Sequence, residues 1–101
     1  MAVDYTYNAL VDLETIEDYI KQRSNYPDVA RKFIERLTDA LEILNDFPEA
    51  GTTRDDLSPD IRQYVYKSYI ALYSVTEKGD VLIHAVIRGN RDIDSMFKSD
   101  D

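Results

Sequence analysis

Within the first ten residues, the spacing of the apolar residues changes from that of a strand to that of a helix. Val3, Tyr5 and Tyr7 alternate with polar residues, which is the period of a half-buried strand. Asn8 then suits the N-cap of a helix. Apolar residues follow at the helical spacings of three and four, at Ala9, Leu13, Ile16 and Ile20. The pattern predicts a strand over residues 3–7 and a first helix that ends near Arg23.

A second helix is predicted from Pro27, because proline is favoured in the first helical turn and Asp28 is favourable near the positive helix end. Its apolar stripe comprises Ala30, Phe33, Leu37, Ala40, Leu41 and Leu44. Two amphipathic helices joined by a short connection are expected to pack as an antiparallel pair.

Residues 46–60 include two prolines and one glycine, which is typical of a loop. After this loop, apolar residues recur at every second position. Three strands are predicted, in "IRQYVYK", "YIALYSVT" and "VLIHAVIR", and the glycine of "EKGD" suits a hairpin turn between the last two. Within the last strand, strict alternation places His84 and Arg88 together on one face. The other face, with Val81, Ile83, Ala85 and Ile87, is then expected to pack on the helices.

These elements predict a single α+β domain over residues 1–101, with the order β-α-α-β-β-β. The sheet is small and mainly antiparallel, with the helical hairpin on one face. The partner of the first strand is not indicated, although the helix pair can supply the crossover that a parallel partner requires. Residues 91–99, "RDIDSMFKS", fit at most a short terminal helix.

The amino-acid composition excludes several classes of functional site. The 101 residues include no cysteine and one histidine, so disulfides, thiolate metal sites and histidine-rich metal centres are excluded. No phosphate-binding glycine loop is present, and we expect no metal and no cofactor. The chain also has no apolar run of membrane-spanning length and no signal-like start, so we expect a cytoplasmic protein without membrane contact.

The charge is strongly acidic but unevenly distributed. A formal net charge of −8 opposes broad attraction to nucleic acid or anionic lipid. Residues 62–91 are the exception, with five basic and two acidic side chains and hence a local net charge of +3. Candidate chemistry is therefore sought in this segment.

Arg62, Arg88 and Arg91 converge if the start of the second strand lies beside the end of the last. Clustered guanidinium groups can bind phosphate or carboxylate, or stabilise a phosphorane-like transition state. The alternative is ordinary surface charge, paired with the nearby aspartates Asp55, Asp56, Asp92 and Asp94.

His84 is the side chain best suited to proton transfer at neutral pH, although a single strand histidine is more often a packing residue. Tyr73 and the other strand tyrosines can stack on exposed bases, but tyrosines in an antiparallel meander usually pack across strands. The acidic residues of the first helix are dispersed as on a solvated face, without the loop that would aim them at a cation.

The chain resembles the RelE/ParE toxins of bacterial type II toxin–antitoxin systems. The resemblance covers nearly all of it and rests on the element order and on "ALVDLETIEDYI", "ARKFIERLTDALEILNDFPEAG", "IRQYVYKSYIALYSV" and "VLIHAVIRGNRD". In this family, RelE-like members cleave messenger RNA on the ribosome, whereas ParE-like members poison DNA gyrase through protein contact. The shared fold does not decide between the two targets.

Two departures from the family patterns bear on the choice between these branches. Met96 and Phe97 occupy the segment where a nuclease often carries a tyrosine, and Arg88 replaces a histidine common in ParE-like relatives. Both departures weaken the case for an acid or base in RNA cleavage, and together with the acidic net charge they favour DNA gyrase as target. The target-binding residues expected from the resemblance are Arg62, Tyr73, Arg88 and Arg91.

Two alternatives stay open. One is a RelE-like messenger RNA endoribonuclease that acts on the ribosome, with Arg62, His84, Arg88 and Arg91 as its catalytic site. Only under this hypothesis is the chain an enzyme. The other is a non-toxic relative that only binds an antitoxin-like protein.

The resemblance also implies a cognate antitoxin encoded alongside, whose flexible segment folds across the toxin surface. The residues expected to bind it lie on the first helix, at Leu13, Glu14, Glu17 and Asp18, with Lys or Arg of the antitoxin opposite the acidic positions.

Overall fold

Two helices pack on one face of a five-stranded sheet in the computed structural model, which describes residues 3–89. The elements in chain order are β1 Val3–Tyr5, α1 Tyr7–Arg23, α2 Pro27–Leu41, α3 Ile43–Asp46, β2 Thr52–Thr53, β3 Arg62–Tyr66, β4 Tyr69–Val75 and β5 Val81–Arg88. This confirms the α+β class and the predicted element order. The predicted loop over residues 46–60 is less uniform than expected, because α3 reaches into its start and the two-residue β2 lies within it.

The start of α1 differs from the prediction by two residues. Thr6 is the N-cap, and its Oγ1 accepts a hydrogen bond of 3.1 Å from the backbone N–H of Ala9. Asn8 therefore lies inside the first turn, and Tyr7 opens the helix with 79% of its surface exposed. The alternating pattern ran past the end of the strand because a tyrosine at the first helical position satisfies either period.

The core lies between the helix pair and the sheet. Leu37, Leu41 and Leu44 are almost fully buried, as the stripe of the second helix predicted, and burying each such side chain contributes about 1.5–3 kcal/mol. The strand residues in the same cluster are Tyr69, Ala71 and Tyr73 on β4 and Val81, Ile83 and Val86 on β5. Tyr64 and Tyr66 pack against this cluster, so packing is what the structure shows for the strand tyrosines.

The strand order is β1-β5-β4-β3-β2. β1 pairs in parallel with β5, and the other neighbours are antiparallel. The helical hairpin thus supplies the crossover that a parallel first strand requires. Only three residues of β5 pair with β1, Val81 to Ile83, so the second half of β5 extends beyond it.

Val81 and Ile83 lie on the helix side of β5 as predicted, but a bulge at His84 reverses the predicted faces of the second half of the strand. Leu72 pairs with Ala85 and Tyr73 pairs with Ile83, which leaves His84 as an extra residue that is not paired in the β4–β5 ladder. The extra residue reverses the alternation, because directly paired residues share a sheet face. Val86 and Arg88 are paired with Ala71 and Tyr69 and therefore lie on the helix side. Ala85 and Ile87 lie on the opposite side, contrary to the prediction.

No helix within residues 3–89 is long and apolar enough to cross a membrane. The expected short terminal helix over residues 91–99 lies outside the described residues.

Candidate functional site

Arg88 stands at the end of β5 with its guanidinium against α1. Its Cζ lies 4.9 Å from the ring centroid of Tyr19, and its Nη1 donates a hydrogen bond to the Tyr19 hydroxyl. Arg23 approaches the same ring, with its Cζ 4.7 Å from the centroid. A tyrosine ring attracts cations through its quadrupole. Tyr19 therefore gathers two guanidinium groups at one place on the surface.

Beside this pair lies a cavity of about 210 Å³ between α1 and β5. We call it the Arg88 groove; it is lined by Asp12, Thr15, Ile16, Tyr19, Tyr69, Val86 and Arg88. Asp12 is already engaged, because its Oδ2 accepts a hydrogen bond of 3.0 Å from the backbone N–H of Val86. Burial raises the pKa of Tyr69, and the Arg88 guanidinium opposes that shift. Tyr69 is thus neutral at physiological pH and unsuited to act there as a base.

Arg62 and Tyr73 perform a different task from the one predicted. The Tyr73 side chain is fully buried, and its hydroxyl donates to the Pro48 carbonyl at 2.7 Å and accepts from the Gly51 N–H at 2.9 Å. Nη1 of Arg62 donates to the Gly51 carbonyl at 2.9 Å, and Nη2 lies 4.0 Å from the Glu49 carboxylate. Both side chains hold residues 48–51 in place. The buried phenol of Tyr73 has no surface to offer a partner, which corrects the expectation of a direct contact.

Arg62 and Arg88 do not converge. β3 and β5 both run antiparallel to β4 and hence parallel to each other, so the start of one and the end of the other lie at opposite ends of the sheet. Arg62 pairs with Tyr73 and Arg88 with Tyr69, an offset of four residues, or about 13 Å along the strand direction. The condition on which the predicted cluster rested is therefore not met. Arg91 lies outside the described residues.

His84 is on the sheet face away from the helices. Its Nε2 is 2.7 Å from the Oγ of Ser74, which is paired with Leu82 on that same face. Arg88 is on the other face because of the bulge. The structure thus separates the histidine from the arginine with which it was predicted to share a surface.

The predicted antitoxin-binding positions on α1 fall into two groups. Leu13 is only 8% exposed and belongs to the core, so it supports the helix rather than offering contact area. Glu14 and Asp18 are exposed, and the Glu17 carboxylate lies 3.8 Å from Lys21 Nζ on the same helix. An acidic surface is therefore available at three of the four positions.

Sequence reasoning missed Tyr19, Arg23 and Asp12 as parts of a site. A signal existed for the first two, because residues four apart on a helix share a face. The contact of these two residues with Arg88 could not be predicted from the sequence, because it depends on the bulge in β5.

Comparison with known proteins identifies the family. The family model described as the ParE toxin of the type II toxin–antitoxin system parDE matches residues 3–93. The chain belongs to the ParE toxin family. This ParE-family protein is accordingly the toxin of a type II toxin–antitoxin system, and a cognate antitoxin is its partner.

A solved structure supports the same fold for this ParE-family toxin. A chain from the chromosomal ParDE toxin–antitoxin system of P. aeruginosa is similar to it with a TM-score of 0.77 and 21% sequence identity. The match covers 89% of this chain and 97% of that chain. At this identity the likeness shows the fold alone. No curated protein matches the chain.

Proposed function

We propose that this toxin inhibits DNA gyrase through protein contact and not through chemistry of its own. The observation that carries the proposal is the separation of the residues that RNA cleavage would need. Arg62 is bound to the backbone of residues 49–51, His84 lies on the far sheet face, and Arg88 stands at the opposite end of the sheet. General acid–base catalysis requires such groups within hydrogen-bond reach of one substrate.

Arg88 is suited to anchor a protein interface. Its guanidinium is exposed yet held by the Tyr19 ring and hydroxyl, so little side-chain entropy is lost on binding. Among the ion pairs formed within residues 3–89, none involves Arg88. Arginine is enriched among the residues that dominate binding energy. We assign the contact with gyrase to Arg88 together with Arg91, which lies outside the described residues.

Arg62 and Tyr73 serve this contact indirectly in our proposal. They fix residues 48–51, next to the exposed aromatic ring of Phe47. A loop fixed in this way presents its side chains without an ordering cost.

The acidic face of α1 is our proposed contact for the antitoxin. Glu14, Glu17 and Asp18 are positioned to meet a segment that carries Lys or Arg. Charge reversal at these three positions is expected to slow association at low salt, because complementary charge mainly accelerates the encounter. An association rate that stays unchanged at low and high salt contradicts this assignment. Gyrase and the antitoxin would both be met in the cytoplasm, where we place the toxin.

Purified gyrase provides the test. Gyrase, supercoiled plasmid and the toxin made by cell-free synthesis are incubated, and protein-linked cleaved DNA is quantified. We expect cleaved DNA to accumulate with the toxin, and Arg88→Ala to require about tenfold or more protein for the same effect. Arg31→Ala is the matched control, because Arg31 is an exposed arginine on α2 paired with Asp28.

The same preparation is added to a translating ribosome extract. Ribosome-dependent cleavage of messenger RNA without any effect on gyrase contradicts the proposal and supports the nuclease alternative. Inactivity in both assays, by a chain that still binds its antitoxin, supports a non-toxic relative.

A further inference from the structure

The sheet face away from the helices, which we call the far face, differs from the rest of the molecule in charge. Directly paired residues share a sheet face, so the ladders between β3, β4 and β5 identify the side chains on it. Within these three strands, none of the far-face side chains is Asp, Glu, Lys or Arg. These four residue types make up 32% of the chain. An uncharged surface on so highly charged a protein indicates an interaction surface.

The apolar side chains of the far face lie together. Val65, Ile70 and Ile87 form one row across β3, β4 and β5, and Leu72 and Ala85 are paired in the next row. We call these five residues the apolar half of the far face. Val65 is 53% exposed, whereas Ile70 is buried at the centre without belonging to the core cluster on the helix side. The apolar half is thus a second, smaller apolar surface of the sheet.

The neighbouring part of the far face is polar and forms hydrogen bonds of its own. Ser74 Oγ lies 2.7 Å from His84 Nε2, and Gln63 Oε1 accepts a hydrogen bond of 2.7 Å from Arg54 Nη1. These groups border the apolar half on the sides away from the end of β5. The apolar surface is therefore next to the point at which the described chain ends.

The size of the apolar half limits what can cover it. Three strands span about 10 Å between the outer two, and two rows along them span about 7 Å. A stable dimer interface needs about 800 Å² from each partner, which is several times this footprint. An α-helix, about 10 Å in diameter with its side chains, matches it.

The sequence that follows β5 has the composition of such a helix. In residues 90–101, Ile93, Met96 and Phe97 have the i, i+3, i+4 spacing of one helical face. Asp92 and Asp94 come first, where the helix dipole favours acidic side chains. So short a helix is marginal in water by itself, because nucleation is costly, and it needs a surface on which to pack.

The chain can reach the apolar half from the end of β5. The Gly89 N–H donates to the Ser68 carbonyl at 2.6 Å, which fixes the point from which the following residues leave the sheet. The four residues from Gly89 to Ile93 span at most about 14 Å. This reach exceeds the distance of about 10 Å from β5 across β4 to β3.

We propose that residues 90–101 fold back over the far face as a short helix, with Ile93, Met96 and Phe97 packed on the apolar half. The occupant of this surface is therefore a segment of the same chain. Docking also fixes Arg91 at the end of the sheet, at a defined distance from Arg88. The inference concerns the packing of this chain and does not rest on gyrase being the target.

NMR on the unaltered full chain tests the proposal. The protein is made by cell-free synthesis with labelled Ile, Leu and Val methyl groups and labelled Phe rings. We expect nuclear Overhauser effects between the Phe97 ring and the methyl groups of Val65, Ile70 or Ile87. We also expect the Phe97 amide to exchange its hydrogen about tenfold or more slowly than in an unstructured peptide.

A matched pair of variants shows whether the ring itself covers the face. In Phe97→Ala, the methyl signals of Val65 and Ile87 should shift, because they lose the ring current of Phe97. Lys98→Ala, a change away from the apolar helical face, should leave these signals in place. Equal shifts in the two variants would contradict the assignment of Phe97.

Several results would overturn the proposal. Contacts of the Phe97 ring with Ile16 or Val86 would place the segment on the helix side of the sheet. The absence of any contact between this ring and a methyl group would show that the segment does not dock. Contacts that arise only between differently labelled copies in a mixed sample would assign the apolar half to a second copy of the chain.

Discussion

A single hydroxyl group joins β4 to the loop that precedes β2. The Tyr73 hydroxyl bridges Pro48 and Gly51, which lie 25 and 22 residues away in the chain. Gly51 is needed for this approach, because a Cβ at that position would lie 2.3 Å from the Gln63 carbonyl oxygen and 2.6 Å from the hydroxyl itself. Burial raises the pKa of Tyr73, so the phenol keeps the proton that it donates.

Removal of that hydroxyl should be costly. In Tyr73→Phe, the Gly51 N–H and the Pro48 carbonyl lose a shared partner in a buried place, which we expect to lower the free energy of unfolding by about 1–3 kcal/mol. Urea unfolding measures the loss. Tyr64→Phe is the control, since the Tyr64 hydroxyl makes no hydrogen bond within residues 3–89. Equal stability of the two variants would show that the bridge contributes nothing.

The predicted convergence of Arg62 and Arg88 was wrong for a reason that a sequence pattern does not contain. Basic side chains at strand ends were visible in the sequence, but their separation depends on strand direction. Arg62 and Arg88 lie on the same sheet face and at opposite ends of it. Arg23 was overlooked because its role comes from a ring that it shares with Arg88.

At the scale of elements, one extra residue decides which side chains meet. Without the bulge at His84, strict alternation would place Arg88 on the face away from α1, and neither the contact with Tyr19 nor the Arg88 groove would exist. Period-two patterns locate strands well, and all three long strands were predicted. The bulge cannot be detected from such a pattern, because Ala85 and Val86 are both apolar and either could face the core.

The start of α1 offers a direct test at the element scale. Thr6→Ala removes both the cap on Ala9 and the hydrogen bond to the His84 carbonyl, so we expect a loss of about 1–2 kcal/mol in unfolding free energy. Asn8→Ala, at the position that the sequence favoured as N-cap, should cost little, because Asn8 lies within the helix and is exposed. Thermal unfolding of the two variants distinguishes the caps. A larger loss in Asn8→Ala would contradict the assignment of Thr6.

The free energy of unfolding of the whole molecule should fall at alkaline pH. Burial, with a smaller contribution from the Glu42 charge, raises the pKa of Tyr5 to about 12. The folded state therefore favours the protonated phenol, and this contribution is fully present below the unfolded value near 10. It is lost as pH rises from about 10 to about 12.

Unfolding midpoints measured across this range check the effect. We expect Tyr5→Phe to reduce the slope of stability against pH between 10 and 12, although Tyr69 and Tyr73, whose pKa values burial also raises, retain part of it. Tyr7→Phe removes an exposed phenol and should leave the slope unchanged. An identical slope in all three proteins would contradict the assignment to Tyr5.

The acidic net charge and the separated candidate residues lead to the same account of the whole molecule. A protein of charge −8 with a guanidinium-rimmed groove between α1 and β5 is better suited to bind proteins than to bind and cleave RNA. These properties support our proposal that the toxin acts on gyrase.

Pulse-labelling of DNA and protein synthesis, within minutes of inducing the toxin in bacteria without its antitoxin, would show whether gyrase is the target. We expect DNA synthesis to fall first, with a DNA-damage response, while translation continues. A collapse of translation that precedes any change in DNA synthesis would contradict it.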